Sequence, residues 1–194
     1  MELSEEELRR ICGFSFDAEN VELLRSRVKM QTMLHEFNHS LPVEIEKRER
    51  IIRELFGAFG KESHIEPPFF CDCGHKIFVG DYTFMNSGIT ILDNAEVRIG
   101  SHCWLAPSVQ IYASTHPTDY LERRERCLSF PVEIGDDVWL GGAVVVCPGV
   151  KIGPRSVIGA GSVVVKDIPA DSLAVGNPCR VVKKLNQAGG SQAK

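Results

Sequence analysis

An aliphatic side chain recurs at every sixth position through the second half of the chain. Six consecutive hexads begin with isoleucine, leucine or valine, and the leading residues are Ile134, Leu140, Val146, Ile152, Ile158 and Val164. A period of six fits neither a helix nor an alternating strand, so each hexad is predicted to supply one short strand and one turn. Stacked hexads coil into a parallel β-helix, with three hexads per coil and coils about 4.8 Å apart.

Two shorter runs of the same period lie upstream. One is formed by Val79, Met85 and Ile91, and the other by Ile99, Leu105 and Ile111. The second run is displaced by two residues, so we expect the extra pair near Val97 and Arg98 to form a bulge or a widened corner. Residues 113–131 then carry no periodicity. They predict one long loop that leaves the coil.

The N-terminal third of the chain has a different period. Apolar residues recur near helical spacing between residues 17 and 36, and Pro42 opens a second such stretch that ends near Gly57 and Gly60. The predicted fold class is therefore mainly β, a parallel β-helix of hexapeptide repeats with an N-terminal α-helical segment and one long extruded loop. The predicted units are a helical segment over residues 1–60, the coil over residues 67–185 and a disordered tail over residues 186–194.

Charge and composition argue against several classes of function. A net charge of −4 gives no attraction to nucleic acid, and no apolar run approaches the roughly 20 residues of a membrane span. The N-terminus, MELSEEELRR, lacks the apolar stretch of a signal peptide. Seven scattered cysteines without a C-x-x-C pair indicate neither a disulfide framework nor a zinc site. We therefore predict a cytoplasmic protein that binds neither membrane nor nucleic acid.

Chemistry on such a coil is expected in its loops or between subunits, because a solenoid has no deep cleft of its own. The long loop carries His116, followed by Pro117 and by the acidic residues Asp119, Glu122 and Glu125. Histidine accepts a proton near neutral pH, which suits it to act as a general base on a hydroxyl. A surface histidine without a catalytic role is the alternative interpretation.

Several stretches of the sequence are distinctive in combination. They are EFNHS at 36–40, EPPFFCDCG at 66–74, TILDNAEVRIG at 90–100, LAPSVQIYASTHP at 105–117 and the long run 129–185, which contains VWLGG and ends in GNPCRVVKKL. Together with the helical segment, they resemble the maltose, galactoside and nodulation-factor O-acetyltransferases of the hexapeptide-repeat superfamily. The similarity extends over nearly the whole chain.

The resemblance implies a left-handed coil and a homotrimer with active sites between neighbouring subunits. It also implies acetyl-CoA as the acetyl donor and a reaction without a metal. The family's catalytic histidine falls on His116, which would deprotonate an acceptor hydroxyl for direct attack on the thioester. The sequence contains no G-x-S-x-G nucleophile motif, which agrees with a mechanism without an acetyl-enzyme.

The resemblance also assigns residues to the acceptor and to the acetyl-transfer site. Asp17, Asp72 and Asp93 match positions that contact a sugar-like acceptor, since carboxylates accept hydrogen bonds from hydroxyls. Asn86 matches an asparagine at the acetyl-transfer site and is grouped with the cofactor contacts. A helix N-cap is the alternative role for Asp17, and a coil corner is the alternative for Asn86 and Asp93.

The remaining cofactor contacts carry over to the second half of the coil and its end. They are Gly142, Ala160, Val165, Lys166, Arg180 and Lys183. Small residues would let the pantetheine arm lie close to the coil, and the three cations could meet the phosphates. A solvated basic patch is the alternative for the cations, and only backbone bonding is expected at Val165.

Three other functions remain open from the sequence. A γ-class carbonic anhydrase uses the same kind of coil, but the repeat region lacks its close-spaced histidine pair. A non-catalytic coil would be expected to have lost the loop histidine or the basic ending, and both are present. Within the enzyme class, the acceptor could be an amine or an antibiotic in place of a sugar.

Overall fold

The computed structural model describes residues 3–12 and 20–186. The N-terminal helices are α1 (Glu5–Cys12), α2 (Val21–Asn38) and α3 (Ile45–Leu55). A capping box begins α1, because the main-chain N–H of Ser4 donates to the Glu7 carboxylate and the N–H of Glu7 donates to the Ser4 hydroxyl.

Short strands and one further helix follow α3. In chain order they are β1 (Ala58–Phe59), β2 (His64–Ile65), β3 (Phe69–Cys71), β4 (Ile77–Val79), β5 (Phe84–Met85), β6 (Ile89–Leu92), β7 (Val97–Ile99), β8 (Trp104–Leu105), β9 (Gln110–Tyr112), β10 (Ser114–Thr115), α4 (Glu122–Glu125), β11 (Leu128–Ser129), β12 (Val132–Ile134), β13 (Trp139–Leu140), β14 (Val145–Val146), β15 (Lys151–Ile152), β16 (Val157–Ile158), β17 (Val163–Val164), β18 (Ser172–Val175) and β19 (Arg180–Lys184).

Successive coils stack these strands into three sheets. Sheet A has the order β1-β4-β7-β12-β15, sheet B the order β19-β18-β16-β13-β8-β5-β2, and sheet C the order β17-β14-β9-β6-β3. Neighbouring strands pair in parallel, except that β19 runs antiparallel to β18. This arrangement confirms the predicted parallel β-helix with N-terminal helices. Its left-handed sense stays a prediction from the resemblance.

The leading aliphatic residues of the hexads form the core. In the six consecutive hexads each of them is at most 3% exposed. They stack in register, with Ile134 on Ile152 and Leu140 on Ile158. Burying each such side chain is worth about 1.5–3 kcal/mol, so the column of aliphatic residues holds successive coils together.

Glycines occupy the corner that leads from sheet A to sheet B. The column is Gly60, Gly80, Gly100, Gly135 and Gly153. A Cβ at any of these positions would lie within 2.7 Å of the backbone of the next coil. The coils can therefore approach one another at this corner only where the side chain is a hydrogen atom.

The coil begins earlier than residue 67, where the sequence predicted its start. Phe59 and Ile65 are buried six positions apart, and they pair with Val79 and Met85 of the next coil. The first coil was missed because an aromatic residue stands at Phe59, where later coils have an aliphatic one.

The extra pair of residues before Ile99 widens a corner. Val97 and Ile99 are both buried, and β7 pairs with β4 and with β12 without a shift in register. The additional residues therefore lengthen the strand and its corner rather than forming a bulge.

The helical segment packs against the first coil. Apolar residues of α2 and α3 share one core cluster with the coil, and Asn38 both donates to and accepts from the backbone of Phe69, at 2.9 and 2.8 Å. In the part of the chain that the structure describes, every helix is too short or too polar to cross a membrane.

The long loop lies between β9 and β12. Its neck is the antiparallel pair β10–β11, and it contains the single turn of α4. The N–H of Phe130 donates to the carbonyl oxygen of Ala113 at 2.9 Å, so the loop leaves and rejoins the coil at the same corner.

Candidate active site

The corner that leads from sheet C to sheet A brings part of the candidate site together. Its equivalent positions in successive coils are Cys73, Asp93, Ala113, Pro148 and Lys166, as the register of the sheet C strands requires. We call this column the CA corner. It is where the long loop departs.

Asp93 lies inside the CA corner. Its side chain is 0% exposed, and its Oδ1 accepts hydrogen bonds from the N–H groups of Asp72 and Cys73, at 3.0 and 2.8 Å. Its Oδ2 is buried and has no hydrogen-bond partner among the residues that the structure describes. One oxygen of the carboxylate therefore holds the preceding coil in place, and the other remains able to accept a hydrogen bond.

Asp72 stands beside that buried carboxylate and is half-buried itself. Burial raises the pKa of the Asp72 carboxyl above its usual value, and the nearby Asp93 charge adds to the rise. The guanidinium of Arg27, on α2, opposes both effects. The sequence reasoning missed Arg27, because a single arginine on a helix has no motif to mark its approach to the coil.

His116 follows β10 at the neck of the loop. It is exposed, and it lies three residues beyond Ala113, which stacks on Asp93 in the next coil. The fold therefore carries the candidate base out of the same corner that presents Asp72. Across the neck lies Cys127, whose Sγ donates to the carbonyl oxygen of Thr115 at 3.1 Å.

A second column of candidate residues lies at the corner between sheets B and C. Gly142 and Ala160 occupy equivalent positions in successive coils, and the N–H of Gly161 donates to the carbonyl oxygen of Gly142 at 2.8 Å. Asn86 occupies the turn between β5 and β6 at this corner, which we call the BC corner. A Cβ at Gly142 would meet only the Pro107 carbonyl oxygen, at 3.6 Å, so the surface there is open.

The predicted cations lie at the last coils, on different elements. Arg180 pairs with Val175 on β18, which places it at the end of the BC corner. Lys183 lies further along β19, opposite Leu173, and Lys166 lies at the CA corner beside Val165. Lys166, Arg180 and Lys183 are exposed. Asp17 lies outside the described residues.

The structure thus divides the candidate residues between two edges of sheet C. The CA corner carries Asp72, Asp93, His116, Val165 and Lys166, and the BC corner carries Asn86, Gly142, Ala160 and Arg180. Within residues 3–12 and 20–186, no three His, Cys, Asp or Glu side chains are grouped to hold a metal ion.

Comparison with known proteins identifies both parts of the chain. The family model described as the maltose acetyltransferase hexapeptide capping motif matches residues 9–60, and the bacterial transferase hexapeptide model matches residues 131–166. Galactoside O-acetyltransferase of Escherichia coli K12 is 43% identical over 165 residues, covering 84% of this chain and 81% of that protein.

Solved structures agree with this assignment. A maltose O-acetyltransferase from Clostridium difficile 630 has a TM-score of 0.86 and 44% identity, covering 95% of this chain and 99% of that chain. A hexapeptide-repeat acetyltransferase from Vibrio cholerae, solved in complex with acetyl coenzyme A, has a TM-score of 0.84 and 39% identity, covering 95% of this chain and 100% of that chain.

A helix-capped coil of hexads with a histidine-bearing loop defines a hexapeptide-repeat transferase. Within that class, the chain belongs to the family of maltose and galactoside O-acetyltransferases and is an acetyltransferase. This confirms the resemblance seen in the sequence. It also removes the carbonic anhydrase and the non-catalytic coil from the functions left open above.

Proposed function

We propose that the protein transfers the acetyl group of acetyl-CoA to a hydroxyl of a sugar or sugar-like acceptor, with His116 as the general base. The proposal rests on one observation: Asp72 and Asp93 lie at the CA corner, and the loop that carries His116 leaves the coil there. The exposed His116 leaves the coil where Asp72 is presented and where Asp93 has an unpartnered buried oxygen. A base and carboxylate acceptors at one corner suit a polyhydroxyl substrate.

The reaction needs one proton carrier and no acetyl-enzyme. The neutral imidazole of His116 takes the proton of the acceptor hydroxyl as its oxygen attacks the thioester carbonyl carbon. The tetrahedral intermediate collapses with cleavage of the C–S bond, and the imidazolium returns the proton to the departing CoA thiolate. The products are an acetyl ester and free CoA, and the base ends in its starting form.

Recognition of the acceptor would fall to carboxylates. Asp72 is half-buried, and its main-chain N–H donates to the Asp93 carboxylate, so the corner fixes the backbone from which the Asp72 carboxylate projects. Asp17 is assigned to the same acceptor from the family resemblance. Asp93 either reaches the acceptor through Oδ2 or supports Asp72 from behind.

The BC corner is the proposed track of the pantetheine arm. From Asn86, which follows β5, to Arg180, at the start of β19, sheet B advances five strand spacings, or about 24 Å. Small or open positions at Gly142 and Ala160 lie between these ends. Arg180, Lys183 and Lys166 would bind the phosphates, and Asn86 would lie at the acetyl end.

The proposed assembly is a homotrimer with active sites between neighbouring subunits, as the family resemblance implies. Sheet B supports it, because Trp104 and Trp139 project from adjacent strands and are 63% and 53% exposed. Exposed aromatic pairs of this kind are typical of protein interfaces. Seven free thiols support a cytoplasmic location.

Thiol release from acetyl-CoA tests the proposal. The wild type, His116→Ala and the matched control His35→Ala, an exposed histidine on α2, would be assayed against sugars, amines and chloramphenicol. We expect a sugar to gain one acetyl group by mass spectrometry. His116→Ala should lose about 100-fold or more in kcat with unchanged CoA affinity, since a general base contributes about 10²–10⁴.

Two results would contradict parts of the proposal. If an amine or chloramphenicol were acetylated in preference to every sugar, the proposed sugar-like acceptor would be wrong. Activity of His116→Ala equal to that of His35→Ala would remove the general base from the mechanism.

A further inference from the structure

The neck of the long loop is a very small hairpin. Its two strands pair through Ser114 with Ser129 and through Thr115 with Leu128. The next residues outward on the two strands are His116 and Cys127. The pairing ends at Thr115 and Leu128, so His116 and Cys127 are the first residues beyond the hairpin ladder on its two sides.

The thiol of Cys127 contacts the peptide that carries His116. Its Sγ lies 3.1 Å from the carbonyl oxygen of Thr115, which belongs to the peptide group whose nitrogen is that of His116. A cysteine thiol is a donor, so the contact fixes the plane of that peptide. The same Sγ lies 3.6 Å from the carbonyl oxygen of Leu128.

The outer part of the loop is held by contacts within itself, since Arg123 donates to the carbonyl oxygens of Pro117 and Thr118 at 3.4 Å and Arg126 pairs with Glu122 at 2.6 Å. None of the four residues of α4 is buried, and its first turn is held by the Asp119 carboxylate, which accepts from the N–H groups of Leu121 and Glu122. A two-residue hairpin is marginal by itself in water. Contacts at the neck join this loop to the coil, and the Cys127 thiol is the neck side chain that contacts the peptide before His116.

We propose that Cys127 is a positioning residue for the general base, acting through its hydrogen bond to the Thr115 carbonyl. This inference rests on the proposed role of His116. It assigns no contact between Cys127 and the substrates. The thiol restricts the orientation of the imidazole and so contributes to kcat rather than to the binding of acetyl-CoA.

The test compares Cys127→Ala, which removes the donor, with Cys127→Ser, which keeps one. Cys12→Ala is the matched control, because the Cys12 thiol also donates to a main-chain carbonyl, that of Leu24, far from the loop in sequence. Each variant would be measured for kcat, for KM with both substrates and for melting temperature.

We expect Cys127→Ala to lower kcat about three- to tenfold, the loss that corresponds to one hydrogen bond. The KM for acetyl-CoA should stay within about twofold, and Cys127→Ser should recover most of kcat. Cys12→Ala should change only the melting temperature. An unchanged kcat in Cys127→Ala, or a fall that Cys127→Ser shares in full, would overturn the inference.

Alkylation gives a second measurement on the folded wild type. Iodoacetamide should lower kcat in proportion to the carbamidomethylation of Cys127, which peptide mass spectrometry would measure. Cys127→Ser should keep its kcat under the same treatment. Burial raises the pKa of the Cys73 thiol to about 11, which keeps that neighbouring group protonated and slow to react. Full activity after complete labelling of Cys127 would also overturn the inference. By contrast, if His116→Ala kept the kcat of the His35→Ala control, the proposed function itself would be contradicted.

Discussion

At the scale of single residues, Asp93 is a side chain for which the sequence left two interpretations open. The resemblance assigns it to the acceptor, and its position in the repeat favours a corner. The structure places it in a corner, where Oδ1 binds two N–H groups of the preceding coil and Oδ2 is unpartnered. A buried polar atom without a partner is rare enough to mark a functional position. Its neighbour Asp72 is only half-buried, so of the two carboxylates it is the one that we propose to contact the acceptor directly.

Gly142 offers a sharp test of the pantetheine track. A leucine there would project onto the open surface of the BC corner, since a Cβ meets only the Pro107 carbonyl oxygen at 3.6 Å. We expect Gly142→Leu to raise the KM for acetyl-CoA about tenfold or more, because one displaced contact group is worth about 1.4 kcal/mol or more. The melting temperature should change little. Ala58→Leu, at an exposed position of sheet A, is the control, and an equal KM in both variants would argue against the track.

At the scale of elements, glycine placement holds the coils in register. Gly100 illustrates this, because a Cβ there would lie 2.5 Å from the Asp136 Oδ1 and 2.7 Å from the Asp136 nitrogen. That carboxylate already accepts the N–H of Ser101 at 2.7 Å. We expect Gly100→Ala to lower the free energy of unfolding by about 1–3 kcal/mol, as overpacking does. Denaturant unfolding would measure it against Gly142→Ala, which should be nearly neutral; equal losses would contradict the close approach.

The elements also define what the sequence could predict. The hexads from Ile134 to Val164 predicted strands, turns and inward residues, because every coil position repeats its neighbour's environment. The first coil around Phe59 was missed, since Phe59 is aromatic where the later coils have an aliphatic residue. The division of the candidate residues between two corners was also beyond the sequence. It depends on the register between paired residues that are 16 to 35 positions apart, such as Val157 with Leu173 and Ile99 with Ile134.

At the scale of the whole molecule, the three sheets present different surfaces to solvent. Sheet A projects Arg98, Glu133 and Lys151, with Lys151 paired to Glu133 at 2.9 Å. Sheet B projects Phe84, Trp104 and Trp139 from successive strands. The apolar surface of sheet B is opposite the CA corner of its own subunit, because that corner joins the other two sheets. In the proposed trimer, a neighbouring subunit could therefore bring its His116 loop to sheet B.

This geometry predicts that a single charge introduced on sheet B both separates the subunits and lowers the activity. Light scattering after size exclusion should give three times the 21.5 kDa chain mass for the wild type. Trp104→Glu should give the single-chain mass, because the indole is 63% exposed in the isolated chain and a buried carboxylate would lack a partner. Its acetyl-CoA turnover should fall at least about tenfold if sites form between subunits.

The matched control places the same charge on another sheet. Ala58→Glu, exposed on sheet A, should keep both the trimer mass and the turnover. Dissociation by Ala58→Glu and not by Trp104→Glu would move the interface to sheet A. A Trp104→Glu monomer with full turnover would show instead that one subunit holds a complete site, and the two edges of its own sheet C would then have to serve both substrates.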